Sequence, residues 1–549
     1  MKTDVDTTLW AFTLAPKLCG AFMQTHVATA YTFLLFVALA WLSISLIYWA
    51  HPGGPAWGKF CFSKRKPFSF SNFNKPIPGP RGLPLFGSIK LMANQLAHRQ
   101  IAAAAQSHAA RRLMAFSLGH TRVIVTCDAD VAKEILHGPV FADRPMKESA
   151  RSLMFGRAIG FAPCSDYWRV LRRIAATHFF CPKQIKATED QRRAIASGIV
   201  SLLGHHNHRQ PFTVHQVLKR ASLHHMMFLV FGRRYELDHM NEEAEELKRL
   251  IDEGYELLGT LNWSDHFSWL SEFDPQNIRA RCWQLLPKVK VFVSQMIAEH
   301  REKTGDSDCR DFADVLLSLQ ASEKLSDLDI IAVLWEMIFR GTDTVAVLIE
   351  WILARMVMHP EVQSKVQNEL DEVVGRYHDV VNEGHMAQLV YLQAAVKEVL
   401  RLHPPGPLLS WARLATADTI VDGHHVPAGT TAMVNMWAIS RDPKVWEDPH
   451  RFIPERFVVG KDGGVEFSVL GSDLRLAPFG SGRRSCPGKS LGLITVTHWV
   501  ARLLHEYEWL PLASDRSNGV DLTEVLRLSC EMAHPLTVVV RPRRRALKY

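Results

Sequence analysis

The nine cysteines of this 549-residue chain include no C-x-x-C pair, which argues against a cysteine zinc site and against a disulfide framework. Their number is odd and they are scattered, so the bulk of the chain is expected to face a reducing compartment. There is no internal repeat and no low-complexity tract. Hydrophobic residues at 47% and charged residues at 22% exclude a disordered, collagen-like or coiled-coil chain. The charge excess is small, +8 with a pI near 9.0, too mild to indicate nucleic acid and equally suited to an anionic membrane or an acidic protein. No nucleic-acid partner is expected. The length prior allows roughly three or four domains or one unusually large one.

Formal charge is also missing locally. No Asp, Glu, Lys or Arg lies between Lys17 and Lys59, and Val27 to Ala50 is apolar and long enough to cross a hydrocarbon core about 30 Å thick. One transmembrane helix is expected; a cleaved signal peptide is the competing reading, but the run is longer than the usual apolar region of such a peptide. Lys59, Lys64, Arg65 and Lys66 follow the run, whereas Lys2 and Lys17 on its other side are mixed with Asp4 and Asp6. The positive-inside rule then leaves the large C-terminal part cytosolic. Next comes Pro76-Ile77-Pro78-Gly79-Pro80-Arg81-Gly82-Leu83-Pro84, whose prolines fix φ and forbid a continuous helix, giving a short stiff hinge. The expected division is residues 1–58 for the luminal tail and anchor, 59–87 for the basic and proline-rich hinge, and 88–549 for the body.

The body reads as mainly α with minor β. Ser326 is a candidate N-cap with Asp329 three residues on, and apolar positions recur to Met358 before Pro360 stops the helix. That helix would be roughly 50 Å long, with too many charges for a second membrane span. Around Asp422-Gly423 and Pro427-Ala428-Gly429, β-branched residues suggest short strands and a turn. The acidic stretch Glu242 to Glu256 reads as a solvated helix face. His205-His206-Asn207-His208 reads as a surface loop for want of a second ligand cluster, and Arg541-Pro542-Arg543-Arg544-Arg545 as a solvated tail.

The sharpest local pattern is Phe479-Gly480-Ser481-Gly482-Arg483-Arg484-Ser485-Cys486-Pro487-Gly488, followed by a helical run from Lys489. Glycines let a tight loop bring backbone N–H groups to one atom, and the helix after Cys486 points its positive end back at the sulfur. Both favour a thiolate, which can attack a substrate or bind a metal; as a haem ligand it favours O–O cleavage. A phosphate loop is the rival, because Gly488-Lys489-Ser490 closes like G-x-x-x-x-G-K-[ST]. It fails by one residue, with Pro487 where a glycine is required and no hydrophobic strand leading in.

This loop resembles the haem-binding signature F-x-x-G-x-R-x-C-x-G of the cytochromes P450. Further elements similar to that family follow its order: Gly341-Thr342-Asp343-Thr344 in the long helix, Glu398-Val399-Leu400-Arg401, Pro454-Glu455-Arg456-Phe457, and Trp168-Arg169-Val170-Leu171-Arg172-Arg173. The hinge, Phe141-Ala142-Asp143-Arg144-Pro145 and His403-Pro404-Pro405 are similar to membrane-bound plant P450s. Phe339-Arg340-Gly341-Thr342-Asp343-Thr344-Val345-Ala346 and Leu261-Asn262-Trp263-Ser264-Asp265-His266 narrow the likeness to the plant family 78, subfamily A. Arg340 stands where the general pattern has alanine, and Val345 replaces its last threonine.

The resemblance implies a P450 fold behind one N-terminal transmembrane helix and a haem cofactor (heme b, iron protoporphyrin IX) with Cys486 as axial iron ligand. Phe479, Trp168, Arg172, Arg413 and Arg484 would line or hold it, the arginines by binding propionates in a bidentate fork; Arg413 is one residue off the common plant spacing, and a solvent-exposed place for it stays open. Glu398, Arg401 and Arg456 would form a structural triad. Thr344 and Asp343 are the implied catalytic pair, Thr344 relaying protons or else capping a backbone carbonyl, and Asp343 reaching solvent or a salt bridge on the far side. Arg340 is expected to pair or to meet solvent, away from the iron. The walls of an apolar substrate pocket are sought between Met146 and Phe161, at Trp335, Ile338 and Phe339, at Leu408 and Leu409, and at Pro535-Leu536. The implied activity is monooxygenation of a lipophilic, fatty-acid-like small molecule. Electrons would come from NADPH through a separate NADPH-cytochrome P450 reductase, at the endoplasmic reticulum membrane and in contact with its lipid. A reductase-independent peroxide rearrangement is the alternative.

Overall fold

Thirty-two residues, Asp327–Met358, form the helix around which the rest is arranged. The computed structural model describes residues 8–63, 75–93, 95–208, 210–239, 241–302, 311–320, 323–375, 380–409, 412–458, 467–512 and 519–543, and in the first helix the side chains from Thr29 on. The long helix starts as its sequence dictates. Ser326 accepts from the Asp329 N–H and the Asp329 carboxylate accepts from the Ser326 N–H, a reciprocal cap that satisfies two otherwise orphaned donors. At 1.5 Å per residue it spans about 48 Å.

Two apolar cores share this helix. Its first half, Ile330 to Phe339, packs with Leu223 to Phe231, Leu247 to Leu258 and Ile278 to Ile297. Its second half, Ala346 to Val357, packs with the helices Val390–Leu402 and Lys489–Glu506. Residues 340–344 belong to neither core, so the helix crosses a gap there, and a cavity opens beside it. The helix His215–Phe231 lies alongside and packs close at Gly341, where a Cβ would stand 2.5 Å from Met226 Sδ.

The β part is small. Met114–Leu118 and Thr121–Thr126 form an antiparallel hairpin, Thr431–Val434 adds parallel to the second strand, and Arg413–Leu414 closes the edge antiparallel. Thr419–Val421 and His424–Val426 pair across Asp422 and Gly423, both at positive φ, the backbone a two-residue hairpin turn requires. The seven cysteines with described side chains are all free.

At the N-terminus one helix runs Thr8–Trp49, and its stretch Thr29–Trp49 is long and apolar enough to cross a membrane, with only 6% of that window buried. Its last turn is tied to the hinge, Trp49 donating its indole N–H to the Gly82 carbonyl at 2.8 Å. A second helix, Pro55–Ser63, spans residue 58, where the sequence division was drawn. It packs on the sheet, with Trp57 buried and donating to the Phe116 carbonyl. Lys64, Arg65 and Lys66, on which the orientation argument rests, lie outside the described residues, as do Lys2, Asp4 and Asp6.

Two surface readings resolve differently. The acidic helix Glu242–Gly259 is solvated along one face, as expected, while its other face reaches the core through Tyr255, whose ring lies tilted against that of Phe339 at 4.6 Å between centroids. The basic C-terminal stretch is no free tail as far as it is described. Thr537–Pro542 pairs with Tyr507–Leu510, Arg541 meets Glu508 at 3.2 Å and Arg543 meets Asp371 at 2.9 Å. Backbone pairing decides this place, and a charge count cannot see it. The histidines at 205, 206 and 208 end the helix Glu189–His205 and form no metal-ligand group among the described residues.

Candidate active site

The cysteine loop is built by its glycines. Gly480 and Gly482 sit at φ +67° and +70°, and a side chain on Gly482 would run into the Leu136 carbonyl. The loop closes with Cys486 N–H donating to the Phe479 carbonyl at 2.9 Å. Helix Lys489–Glu506 begins three residues after the cysteine. Cys486 is half-buried, and what remains exposed lines the cavity. Burial pushes its thiol above the ordinary value, while the Gly488 N–H and the guanidiniums of Arg340 and Arg172 pull the other way. The thiolate expected from the loop alone is thus opposed by burial, and a metal that takes the proton's place would complete it.

The cavity above it encloses about 1620 Å³ of non-atom space, its open mouth included. Five arginines, Arg144, Arg172, Arg340, Arg413 and Arg484, line it against one glutamate, Glu336.

Arg484 is the most constrained of these. It donates to the carbonyls of Ala142, Ile159 and Ala162 and lies 4.2 Å over the Trp168 ring. Arg172 donates to the Ser485 carbonyl and Arg413 to that of Ser481, so both face the cysteine loop. Arg413 is buried at the sheet edge, which settles its open alternative against solvent. Burial and the neighbouring arginines push it down to about 10, and burial takes Arg484 to about 10 as well, Asp143 opposing. Buried like charges crowded in this way require an anion. Trp168 lines the same wall, but its indole N–H is committed to the Ile159 carbonyl, so it contributes a ring face and no donor. Phe479 lines the floor and packs against the larger core. These residues fit a haem: one cysteine beneath, and guanidiniums to one side for two carboxylates.

Behind the loop, Glu398 and Arg401 are fully buried and form a two-pronged pair at 2.7 Å for each prong. Arg401 also donates to the carbonyls of Ser440, Pro449 and Arg451, and Arg456 approaches Glu398 at 3.5 Å. None of the three lines the cavity.

On the opposite wall the long helix presents Glu336, Arg340, Thr344 and Leu348, a stripe of every fourth residue, together with Met337, Gly341 and Val345. Thr344 is exposed to the cavity. The backbone-capping role weighed for it belongs to Thr342, whose hydroxyl donates to the Ile338 carbonyl at 2.8 Å. Asp343 points away, is buried, and pairs with Lys219 of the helix His215–Phe231 at 2.9 Å. Lys219 also approaches the half-exposed Asp252 at 3.8 Å. Burial lowers Lys219 while Asp343 raises it, and the net direction is up, so the lysine stays charged.

Two expectations are corrected here. Trp335, Ile338 and Phe339 are buried in the core and do not line the cavity, nor do Pro535-Leu536. The most apolar face of the helix went to helix packing. Arg340, expected to pair or to meet solvent away from the iron, stands in the cavity wall with its guanidinium beside the Glu336 carboxylate. Arg144, Glu336 and the buried, neutral His225, pushed down to about 3 by burial and Arg192, are wall residues the sequence argument missed. Stepping back from Thr344 by fours would have found Arg340 and Glu336; no local pattern marks Arg144 or His225.

Known proteins resemble this chain over most of its length. A family model described as Cytochrome P450 matches residues 77–529. Cytochrome P450 78A9 of Arabidopsis thaliana is 62% identical over 545 residues, covering 99% of each chain. Cytochrome P450 78A3 of Glycine max is 60% identical, covering 99% of this chain and all of its own. At greater distance, a flavonoid 3'-monooxygenase of Arabidopsis thaliana is 33% identical over 88% of this chain and 94% of its own. A solved zebrafish cytochrome P450, determined with progesterone, superposes with a TM-score of 0.69 at 24% identity over 81% of this chain and 99% of its own. That likeness speaks for the fold alone. With the family match covering most of the body and the whole-length kinship to plant 78A proteins, the chain belongs to the cytochrome P450 family and is an oxidoreductase of the monooxygenase type.

Proposed function

We propose that the chain is a haem-thiolate monooxygenase that inserts one oxygen atom from O₂ into a lipophilic, fatty-acid-like substrate, with electrons from NADPH passed through a separate reductase. The observation that carries this reading is the convergence on one cavity of Cys486, an arginine cluster suited to two carboxylates, and the Thr344 hydroxyl on the facing helix. Bound haem would supply the iron at which O₂ is reduced and its O–O bond cleaved.

The residues of the chain supply the rest. Cys486 gives the sulfur ligand, and Arg172, Arg413 and Arg484 neutralise the propionates. Thr344 holds a hydroxyl in a largely apolar wall, where it passes a proton inward. Asp343 and Lys219, joined at 2.9 Å and reaching Asp252 near the surface, connect that position to solvent. Leu348, Val345, Leu409 and Met337 exclude water from the substrate side. The anchor 1–58 and hinge 59–87 hold the body 88–549 at the cytosolic face of the endoplasmic reticulum membrane, with the helix Pro55–Ser63 joining anchor to body.

The test is reconstitution of the full chain in lipid with NADPH-cytochrome P450 reductase. Substrate-dependent NADPH and O₂ consumption with a hydroxylated product supports the reading. Turnover of a lipid hydroperoxide without reductase, and none with it, would replace it by the rearrangement alternative.

A further inference from the structure

Outside the cavity, where the membrane span joins the body, a second cysteine has a base beside it. The span ends at Trp49, and the turn after it reverses the chain through Gly53 and Gly54, at φ +82° and +86°, a conformation that glycine adopts without strain. The helix Pro55–Ser63 thereby folds back on the last turn of the span, so close that a Cβ on Gly58 would stand 2.0 Å from the Tyr48 carbonyl oxygen. Contacts with the body fix the helix from its other side. The Ala56 N–H donates to the Ser117 hydroxyl at 3.1 Å, and Trp57 donates to the Phe116 carbonyl. Held in this way, Cys61 on the helix meets His51 on the turn, Sγ to Nε2, at 3.3 Å.

The second ring nitrogen sets the roles. His51 Nδ1 lies against the Pro52 carbonyl oxygen, which can only accept, so the ring proton sits on Nδ1 and Nε2 turns its lone pair to the thiol. A nucleophile, a base within reach of it and a third group that orients the base form an activated thiol. Arg122 adds positive charge nearby, its guanidinium 4.7 Å over the ring of Phe60, the residue before Cys61. Burial lowers that guanidinium, while Asp418 and Cys61 raise it. Cys61 is half-buried and therefore reachable. An electropositive, partly exposed setting belongs to reactive cysteines, whereas structural ones are buried in apolar surroundings.

The surroundings select the electrophile. Phe62 is exposed, and its ring lies 5.8 Å from that of Tyr48 in the last turn of the span. Tyrosine and tryptophan mark the membrane–water interface, and Tyr48 and Trp49 place the thiol beside that level. An alkyl chain dissolved in the bilayer carries a polar reactive end to the same depth.

We propose that Cys61, with His51 as its base, is a site of S-acylation by a long-chain acyl-coenzyme A, and that the attached chain enters the bilayer beside Tyr48 and Phe62. The sulfur attacks the thioester carbonyl carbon, and the C–S bond to coenzyme A breaks as the bond to Cys61 forms. His51 takes the thiol proton and passes it to the departing coenzyme A sulfur; nothing is oxidised or reduced. Neither residue lines the cavity, so the site stands or falls apart from the monooxygenase reading.

The test incubates the full chain, purified in detergent, with palmitoyl-coenzyme A at neutral pH, and locates the acyl group by peptide mass spectrometry. Release by neutral hydroxylamine identifies a thioester. The wild type is expected to carry a hydroxylamine-labile palmitoyl group on the peptide that contains Cys61, and the same thioester should be found on the chain isolated from plant microsomes. Cys61→Ala should remove it. His51→Gln, whose amide cannot take a proton, should slow acylation at least about tenfold, while Cys181→Ser, at another half-buried cysteine, should leave the rate within about twofold. The CO spectrum and melting temperature of each variant, read alongside, separate lost reactivity from lost folding, and the wild-type peptide map carries the test where a variant folds poorly. Absence of a thioester at Cys61 in the wild type or in the microsomal chain, acylation of Cys181 as fast as Cys61, or an unchanged rate in a folded His51→Gln would each overturn the proposal.

Discussion

The two walls of the cavity solve opposite problems. On the cysteine side and in the layer behind it, charge is locked into protein: Arg484 spends its donors on three carbonyls, Arg401 and Glu398 bind each other with no exposure, and each residue holds a segment distant in sequence. On the helix side, Thr344 faces open space and Glu336 keeps a buried oxygen unbonded. A wall that retains a cofactor satisfies its polar groups from within the protein; a wall that handles a substrate leaves some unsatisfied until the substrate comes. Substitutions on the first wall should therefore damage the folded, haem-bearing state, and those on the second should leave it whole and change what happens inside.

The largest loss is expected for Glu398→Ala. It strands Arg401 in a fully buried place and removes the acceptor for the Ile453 N–H. A cost of about 3–5 kcal/mol follows from breaking a buried pair on one side, enough that little haem-containing protein should be recovered. Recovery at the wild-type level, with an unchanged melting temperature, would show that the triad does not hold the fold.

Next comes a control away from both walls. Burial alone would raise the Glu524 carboxyl, but His98 at 2.7 Å and Arg99 at 2.5 Å bring it down to about 2. A folded value below the unfolded one, about 4.3, contributes stability that is complete above about pH 5 and is lost as pH falls from there toward 2. The contribution is about 3 kcal/mol. Thermal melts should show the wild type losing stability between pH 5 and 3 faster than Glu524→Gln, which starts lower and stays flatter; parallel curves would remove Glu524 from the account.

Arg484→Met should cost about 1–3 kcal/mol by orphaning buried carbonyls, and it should release haem more readily than the wild type in a transfer assay to apomyoglobin. Equal release rates would say that its three bonds serve the loop and not the cofactor. Thr344→Ala should cost the least stability, within about 0.5 kcal/mol, because its side chain faces the cavity. Haem content and the CO spectrum should be unchanged while NADPH consumption shifts from hydroxylated product to hydrogen peroxide. Normal coupling in that variant would leave Thr344 a passive wall residue.

The contrast also marks what could be read without coordinates. Where one short segment decides its own geometry, the letters suffice: the Ser326–Asp329 cap, the Asp422-Gly423 turn, and the cysteine loop, whose glycines and arginine are each demanded by a backbone angle or a carbonyl cluster. Trp335, Ile338 and Phe339 show the opposite case. Their bulk and hydrophobicity suited a pocket wall, yet packing against neighbouring helices claimed them, and the polar face was left for the cavity. Arg340 was expected to pair or to meet solvent, and only the tertiary fold shows that its neighbour is Glu336 in the cavity wall. Arg144 comes from the segment before the helix Glu148–Leu153 and joins the site only through the tertiary fold.

The most direct test of the central claim is the reduced-minus-oxidised CO difference spectrum of the full chain beside that of Cys486→Ala. The account predicts a thiolate-type band in the wild type and its loss in the variant, because Cys486 is the cysteine lining the cavity among the described residues. A thiolate-type band that survives in Cys486→Ala would contradict it.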